Sequence, residues 1–429
     1  MRAMVIGGGG REHALACFLA RSARVERVIC APGNAGTAAI AENVDANVND
    51  HDALVRIARE RDVDLTVVGP EAPLCAGIVD RFRKEGLKVF GPTAAAARIE
   101  GDKAYAKHLM TIAHVPTAEA RVLTDPVAAR TYIETRDAGV VVKASGLAAG
   151  KGVFVCHDPS DALEAVDQLM IARVFGRAGE TVIVEELLQG AELSVLALVD
   201  GRTIYTLETA QDHKRAGDGD TGPNTGGMGA YSPAPIATPD VLATIESDIL
   251  VPIVDALRRD GARYTGVLYA GLMLTPGGPK VLEFNCRFGD PEAQAVLPRL
   301  ESDLFDLLEA AASGRLDEAE VRWDPRPAVC VVMASAGYPG KYQTGKIIEG
   351  LDRAAELEDT YVFHAGTERL EHYTVTSGGR VLGVTALGND IADAQRRAYA
   401  AVAEINFDNA YYRKDIARKA IRTAHTQDG

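Results

Sequence analysis

Residues 140–156 have the sequence VVVKASGLAAGKGVFVC, in which two short apolar runs flank a loop rich in glycine. A P-loop has four residues between its glycines and a Ser or Thr after its lysine. Here three residues separate Gly146 from Gly150. The residue after Lys151 is Gly152, so neither requirement is met. The segment is therefore predicted as a β-hairpin whose glycine loop folds over a triphosphate, with backbone N–H groups and Lys151 meeting the negative charge.

The N-terminal part of the chain alternates strand-like apolar runs with helix-like segments. The predicted strands are 3–6, 27–30, 65–68 and 88–90, and the predicted helices are 12–20 and 52–61. Strands that alternate with helices indicate a parallel sheet covered on both faces. Ligands of such sheets bind beyond the carboxyl ends of the strands, where the glycine-rich turns of this region fall.

The glycine cluster Gly7–Gly10, directly after the first predicted strand, invites comparison with a dinucleotide-binding fingerprint. The third glycine position of that fingerprint holds Glu12 or His13 here, depending on which glycine is taken as the first. The second strand also ends without the acidic residue that would bind a ribose hydroxyl. The function of an NAD-dependent oxidoreductase is therefore disfavoured. The binding of a phosphate group at the start of the following helix stays a possible interpretation.

The overall composition disfavours several classes of function. The 429 residues include 60 acidic and 46 basic side chains, and a net charge of −14 repels nucleic acid. The six cysteines are scattered without a CxxC pair, as expected for reduced thiols. No targeting segment is visible, and no apolar stretch reaches the roughly 18 residues of a membrane span. We expect a monomeric cytoplasmic protein with neither a nucleic-acid nor a membrane partner.

Residues 281–290, with the sequence VLEFNCRFGD, carry the strongest local signal for chemistry. On a strand, Glu283 and Asn285 point to the same side, and Arg287 does so as well if the strand persists. Two oxygen ligands that act together with nucleotide phosphates suit Mg²⁺, which binds few protein ligands and keeps several waters. The apolar neighbours indicate a partly buried segment, so a merely solvated polar face is the weaker interpretation.

Two further polar segments are predicted to contact ligands. Residues 211–235 form a long stretch dense in Gly, Pro, Asn and Asp. Loops of that length without secondary structure are uncommon and are usually functional or disordered. The acidic pair Glu185–Glu186, with Glu192 just beyond, indicates a hinge whose backbone meets adenine and whose acid holds ribose hydroxyls.

Six motifs in this order are similar to the phosphoribosylamine–glycine ligase family of the ATP-grasp superfamily. They are PGNAGT at 32–37, VGPE at 68–71, QDHKR at 211–215, GPNTGGMGAY at 222–231, EFNCRFGDPE at 283–292 and RKDI at 413–416. The resemblance runs from Gly7 to about Arg418, nearly the whole chain. It implies an α/β and α+β multidomain fold. An N-terminal parallel α/β domain would span 1–101, an ATP-grasp domain 102–326 with a flexible lid at about 120–188, and a small C-terminal α+β domain 327–429.

The resemblance also implies an activity, in which ATP drives the joining of glycine to 5-phosphoribosylamine through a glycyl phosphate. The products would be glycinamide ribonucleotide, ADP and phosphate, a step of purine biosynthesis, and all partners would be small molecules. Catalysis would rest on Arg287, Lys143 and Asp212. The metal, Mg²⁺ or Mn²⁺, would lie at Glu283 and Asn285. The ATP site would comprise Lys103, Lys143, Gly150, Lys151, Gly152, Glu185, Leu188 and Glu192. The substrates would contact Gly10, Asn34, Glu71, Asp212, Lys214, Asn224, Gly226, Arg287, Gly289 and Asp290.

One departure from the family pattern is visible, because the family usually carries Asp where this chain has Ser145. Serine makes hydrogen bonds but carries no charge, so Ser145 is left out of the expected site and ATP affinity is expected to be sensitive to this position. Two rival functions stay open on the residues alone. One is another ATP-grasp ligase or carboxylase with different substrates, which would not require the 211–231 motifs. The other is a non-catalytic nucleotide sensor, which would not require the metal pair.

Overall fold

The computed structural model describes residues 1–148 and 150–427, with the side chains of 423–427 left out of that description. Ala149 of the glycine loop lies outside the described residues. Within the described part of the chain, no helix combines the length and the apolar character that a membrane span requires.

The N-terminal region is a five-stranded parallel sheet with helices around it, as predicted. Its strands are β1 (Arg2–Gly7), β2 (Arg27–Pro32), β3 (Glu42–Asn43), β4 (Leu65–Val68) and β5 (Val89–Phe90), in the spatial order β3-β2-β1-β4-β5. Its helices are α1 (Gly10–Ala20), α2 (His51–Glu60), α3 (Glu71–Cys75), α4 (Ile78–Lys84) and α5 (Ala94–Gly101). Side chains of β1 alternate between two hydrophobic clusters, with Met4 and Ile6 in one and Ala3 and Val5 in the other. The sheet is therefore buried on both faces.

The lid region folds around a second sheet with its own hydrophobic cluster. Helix α6 (Lys103–Ile112) precedes the lid, which comprises β6 (Ala120–Leu123), α7 (Pro126–Glu134), β7 (Val140–Ala144), β8 (Val153–Cys156), α8 (Pro159–Val166) and β9 (Val182–Glu186). Strands β7 and β8 pair as an antiparallel hairpin, as predicted, with Lys143 opposite Val153. The sheet order is β6-β9-β7-β8, and α7 and α8 pack their apolar residues against it.

The central region holds an antiparallel sheet in the order β11-β10-β16-β17. Its elements are β10 (Ala191–Val199), β11 (Ile204–Thr206), β12 (Gln211–Asp212), β13 (Arg215–Gly217), β14 (Thr221–Asn224), β15 (Gly229–Ser232), α9 (Pro239–Ile245), α10 (Val251–Arg259), β16 (Gly266–Thr275) and β17 (Gly278–Asn285). Helices α9 and α10 are separated by a π-helical turn at Glu246–Leu250. Pro252 explains the interruption, because it cannot donate the hydrogen bond of a regular turn.

The polar stretch at 211–235 contains four short strands instead of an unstructured loop. Strands β13 and β14 form a hairpin, while β15 pairs with a strand almost a hundred residues later. The hydrogen bonds from that distant partner cannot be read from a local pattern, and the sequence GAYS of β15 lacks the apolar alternation of a strand.

The C-terminal region is an α+β unit, as predicted. Helices α11 (Glu292–Val296) and α12 (Leu304–Ala312) precede it, and its own elements are β18 (Ala328–Ser335), α13 (Leu351–Ala355), β19 (Thr360–His364), β20 (Thr367–Leu370), β21 (Tyr373–Thr376), β22 (Arg380–Leu387), α14 (Ile391–Glu404), β23 (Ala410–Tyr411) and α15 (Arg418–Gln427). Its main sheet has the order β12-β15-β18-β22-β19, with β23 beside β18. Because β12 and β15 belong to the 211–235 stretch, that stretch is fixed to the C-terminal sheet.

The tail motif at 413–416 anchors the β13–β14 hairpin. Arg413 is fully buried and donates to both carboxylate oxygens of Asp415 at 2.8 Å each. It also donates to the Arg215 carbonyl and to Asp220 Oδ1, each at 3.0 Å. The Gly219 N–H, at the hairpin tip, donates to Asp415 Oδ2 at 2.8 Å. The tail therefore holds the segment that carries much of the predicted substrate site.

We expect Arg413→Met to lower the free energy of unfolding by about 3 kcal/mol, because a buried ion pair loses one partner and leaves carboxylates uncompensated. Denaturant unfolding monitored by circular dichroism measures the change. The matched control is Arg258→Met, whose exposed pair with Asp255 should contribute less than about 1 kcal/mol. Equal losses in the two variants would show that the tail is not an anchor.

Candidate active site

A deep cavity lies between the lid, strands β16 and β17, and the 211–227 segment. Its wall contains most of the residues that the sequence predicts for the site. They are Glu71, Lys103, Lys143, Gly150, Gly152, Glu185, Leu188, Glu192, Asp212, Lys214, Asn224, Gly226, Glu283, Asn285, Arg287 and Asp290. Residues from the N-terminal, lid and central regions thus face one space, as a reaction between several ligands requires.

A buried cluster of two lysines and one glutamate lies at the lid side of the cavity. Glu185 accepts from Lys143 Nζ at 2.8 Å and from Lys107 Nζ at 3.1 Å. Strands β7 and β9 are paired neighbours, which brings Lys143 and Glu185 to the same face. Lys143 Nζ also donates to the Leu282 carbonyl at 3.0 Å. Two cations and one anion leave a net positive charge that is suited to a phosphate.

The predicted metal pair lies on β17, next to the Leu282 carbonyl that Lys143 contacts. Burial opposes the charge of Glu283, but the neighbouring cations of Lys214, then Lys103 and Lys143, lower its pKa to about 2. The carboxylate is therefore ionised at neutral pH, and Lys214 Nζ lies 3.6 Å from its Oε1. Among the described residues, no group of three or more His, Cys, Asp and Glu side chains could hold a metal. A carboxylate and the Asn285 amide oxygen fit Mg²⁺ that takes its remaining ligands from phosphates and water.

Arg287 is fixed by two carboxylates at the end of β17. It donates to Glu71 Oε2 at 3.2 Å and to Glu100 Oε1 at 3.0 Å. Glu100 in turn accepts from the Cys286 N–H at 2.7 Å, and its burial raises its pKa. The Arg287 side chain is still 16% exposed, and it lines the cavity. It is therefore a pre-oriented cation with free surface for a ligand carboxylate.

Asp290 lies close to Arg287 and supplies the opposite charge. Burial disfavours its ionised form, but the charge of Arg380, followed by that of Arg11, lowers its pKa. Arg380 Nη2 lies 3.2 Å from Asp290 Oδ2. A cation and an anion on one wall can recognise the two charged ends of a free amino acid.

The 226–227 turn closes the cavity next to Asp212. Arg380 Nη1 donates to the carbonyls of Gly226 at 2.7 Å and Asp290 at 2.8 Å, which joins this turn to the β17 end. Gly227 has a φ of +109°, and a Cβ there would lie 2.7 Å from Asp212 Oδ1 and would also clash with Pro291. Burial, followed by the charge of Glu292, raises the pKa of Asp212. The protonated form of the Asp212 carboxyl is thus favoured over that of an exposed aspartate.

Four predicted site residues lie outside the cavity lining. Asn34 uses its whole amide internally, with Nδ2 donating to the Gly8 and His364 carbonyls and Oδ1 accepting from two N–H groups of its own turn. A Cβ on Gly10 would meet Gln294 Nε2 at 2.6 Å, and one on Gly289 would meet the Glu292 carboxylate. Lys151 donates to the Pro339 carbonyl at 3.4 Å. Their substrate or ATP contacts stay predictions.

The glycine turn before α1 is occupied by the protein's own carboxylate. Glu12 Oε2 accepts from the Gly9 N–H at 2.7 Å, and Glu12 is paired with Arg11. A phosphate expected at the start of this helix would compete with Glu12 for that N–H group.

Several residues that shape the cavity were not identified from the sequence. They are Glu100, Lys107, Tyr269, Glu292 and Arg380. The sequence contains a pattern that indicates Lys107, because this residue follows Lys103 by one helical turn on the same face of α6. No sequence pattern indicates Arg380, since only the packing of the C-terminal region brings it to the 226–227 turn.

Family models match most of the chain. Three family models match in order, namely the N domain of phosphoribosylglycinamide synthetase at residues 1–100, its ATP-grasp (A) domain at 101–293 and its C domain at 328–419. A phosphoribosylamine–glycine ligase of Rhodopirellula baltica is 53% identical over 428 residues, covering 98% of each chain. One of Escherichia coli O157:H7 is 51% identical over 425 residues, covering 98% of this chain and 99% of that one.

Solved structures give the same result at the level of the fold. The crystal structure of a phosphoribosylamine–glycine ligase from Thermotoga maritima aligns with a TM-score of 0.83 and 32% identity, covering 97% of this chain and all of that one. The biotin carboxylase domain of a 2-oxoglutarate carboxylase from Hydrogenobacter thermophilus aligns with a TM-score of 0.70 and 16% identity, covering 96% and 91% of the two chains. The second likeness shows a shared fold alone.

Proposed function

The chain belongs to the phosphoribosylamine–glycine ligase family, and on this premise we propose that it joins glycine to 5-phosphoribosylamine at the expense of ATP. The products are glycinamide ribonucleotide, ADP and phosphate, in de novo purine biosynthesis. One observation carries the proposal beyond the family name. Arg287 and Asp290, which we assign to glycine, line the same cavity as Lys143, which we assign to phosphate, and Glu283 and Asn285, which we assign to the metal.

In the first step, a glycine carboxylate oxygen attacks the γ-phosphorus of ATP and the bond to the β–γ bridging oxygen breaks. ADP leaves, and glycyl phosphate remains. Two anions must approach each other, so fixed cations account for much of the catalysis. Arg287 holds the glycine carboxylate, Asp290 its ammonium group, and Lys103 and Lys143 the phosphates. Leu188 and the backbone at Glu185 line the adenine end, and Glu192 holds the ribose.

In the second step, the amine of phosphoribosylamine attacks the acyl carbon and phosphate leaves as the amide forms. The amine loses a proton, and we assign its acceptance to the ionised form of Asp212, which lines the cavity and whose pKa is raised by burial. Glu71, Lys214, Asn224 and Gly226 surround the space for this substrate. The substrates supply both nucleophiles, so no nucleophilic side chain is required.

The metal completes the proposal. Glu283 and Asn285 would hold Mg²⁺ or Mn²⁺, which supplies positive charge that neutralises the phosphates. The low pKa of Glu283 supports this role, because the carboxylate needs no deprotonation before it binds a cation. We further propose a cytoplasmic monomer whose functional units are 1–101, 102–326 with its lid at about 120–188, and 327–429.

The proposal is tested by the substrate requirement for ADP formation. We expect ADP release only when glycine and freshly prepared phosphoribosylamine are both present, and a coupled enzyme assay measures it. Omission of either should reduce the rate to background. Turnover supported by bicarbonate would indicate a carboxylase, and nucleotide binding without any turnover would indicate a sensor. Either result would contradict the proposal.

A further inference from the structure

The start of helix α6 is held by a residue from the lid. The Lys103 N–H donates to the Ser145 carbonyl at 2.9 Å, and the Ala104 N–H donates to Ser145 Oγ at 3.0 Å. The Tyr105 N–H donates to Asp102 Oδ1 at 3.1 Å. The first backbone N–H groups of a helix have no acceptor within the helix. In α6 the first three of them are satisfied by two side chains and one carbonyl.

The two capping side chains are also bonded to each other. Ser145 Oγ donates to Asp102 Oδ1 at 2.9 Å while it accepts from Ala104. A hydroxyl can fill both roles at once, whereas an ionised carboxylate only accepts. An aspartate at 145, the residue usual in the family, would therefore face the Asp102 carboxylate without a proton between them. Serine at 145 is the residue that matches an acid at 102.

We propose that Asp102 and Ser145 form a clasp, in which Asp102 supplies the carboxylate that the family usually carries at 145. The clasp joins α6 to the end of β7 and so sets the distance between Lys103 and Lys143 around the ATP phosphates. Both clasp residues are positioning residues, because neither lines the cavity. The inference rests on the proposed function only in that this cavity binds ATP.

Two features of the structure show why the distance between Lys103 and Lys143 should affect phosphate binding. Lys103 and Lys107 both belong to α6, and Lys143 lies two residues before Ser145 on β7. Lys107 and Lys143 share the Glu185 carboxylate, so a shift of α6 against β7 would separate cations that the phosphates need together. Arg287 is held by Glu71 and Glu100, and Asp290 by Arg380, so neither depends on a hydrogen bond from the clasp and glycine binding should not respond to it.

A charge swap tests the clasp. We expect Ser145→Asp to weaken the binding of a non-hydrolysable ATP analogue with Mg²⁺ about tenfold, because two carboxylates then face each other. Asp102→Ser should weaken it less than about threefold, since serine is as good an N-cap as aspartate. The double variant should bind within about threefold of wild type, because it restores one acid and one hydroxyl in reversed positions.

Titration calorimetry measures these affinities, and thermal unfolding of each variant shows that it is folded. The glycine KM should stay unchanged in all three variants. A double variant that binds as weakly as Ser145→Asp, or weaker, would overturn the clasp. The test does not depend on ligation, because a wild-type protein that binds the analogue but makes no amide would contradict the proposed function and leave the clasp measurable. Wild-type protein that does not bind the analogue would contradict both.

Discussion

Replacing Arg287 by lysine is expected to raise the glycine KM about 30-fold, because a planar guanidinium binds a carboxylate through two parallel hydrogen bonds and an ammonium does not. The affinity for ATP should change less than about threefold, since the nucleotide contacts lie on the lid side of the cavity. Initial rates at varied glycine and saturating ATP, together with calorimetry of the nucleotide, separate the two effects.

Lysine is preferred to alanine at this position because of the carboxylates behind Arg287. Glu100 is buried and accepts from Arg287 at 3.0 Å, so removal of the cation would leave an unpaired buried charge and destabilise the fold. The control is Arg326→Lys, which alters an arginine that binds Asp324 and Asp359 away from the cavity. An unchanged glycine KM in Arg287→Lys would refute the amino-acid site.

Glu283→Gln is expected to lower kcat about 100-fold, because the site loses the one charged ligand that it offers to the metal. Glutamine has nearly the same shape, so packing on β17 is retained. The variant also removes the counterion of Lys214, Lys103 and Lys143, whose charges lower the pKa of Glu283 to about 2. These uncompensated positive charges would further oppose the binding of Mg²⁺.

The decisive measurement for Glu283→Gln is the dependence of the rate on Mg²⁺ at fixed ATP. We expect half-saturation to move to a higher Mg²⁺ concentration, with partial recovery of kcat at high Mg²⁺. Glu246→Gln, whose carboxylate accepts from Thr206 outside the cavity, serves as the control. A wild-type Mg²⁺ dependence would show that the metal binds elsewhere.

Features set by local pattern were predictable from the sequence. The β7–β8 hairpin followed from two apolar runs around a glycine loop, and the common face of Glu283 and Asn285 followed from the two-residue period of a strand. Helices α3 and α4 were missed. Each is short, and Gly77, with a φ of +90°, separates them, so neither shows a sustained helical period.

Features set by distant contacts were not predictable. Strand β15 exists because β18 pairs with it, and Arg380 reaches the 226–227 turn only through the C-terminal sheet. Asn34 shows what a motif does not reveal. Its substrate contact stays a prediction, while the structure shows that its amide holds the chain between Gly8 and His364. A polar residue in a glycine-rich turn can therefore serve the turn itself.

The central claim is that the glycine carboxylate attacks ATP and that the resulting acyl phosphate is captured by the amine. Glycine labelled with ¹⁸O in both carboxylate oxygens tests it directly, because that path transfers one labelled oxygen to phosphate and leaves the other in the amide. Mass spectrometry of the released phosphate should show a single ¹⁸O atom per molecule formed. Unlabelled phosphate alongside glycinamide ribonucleotide would contradict the account.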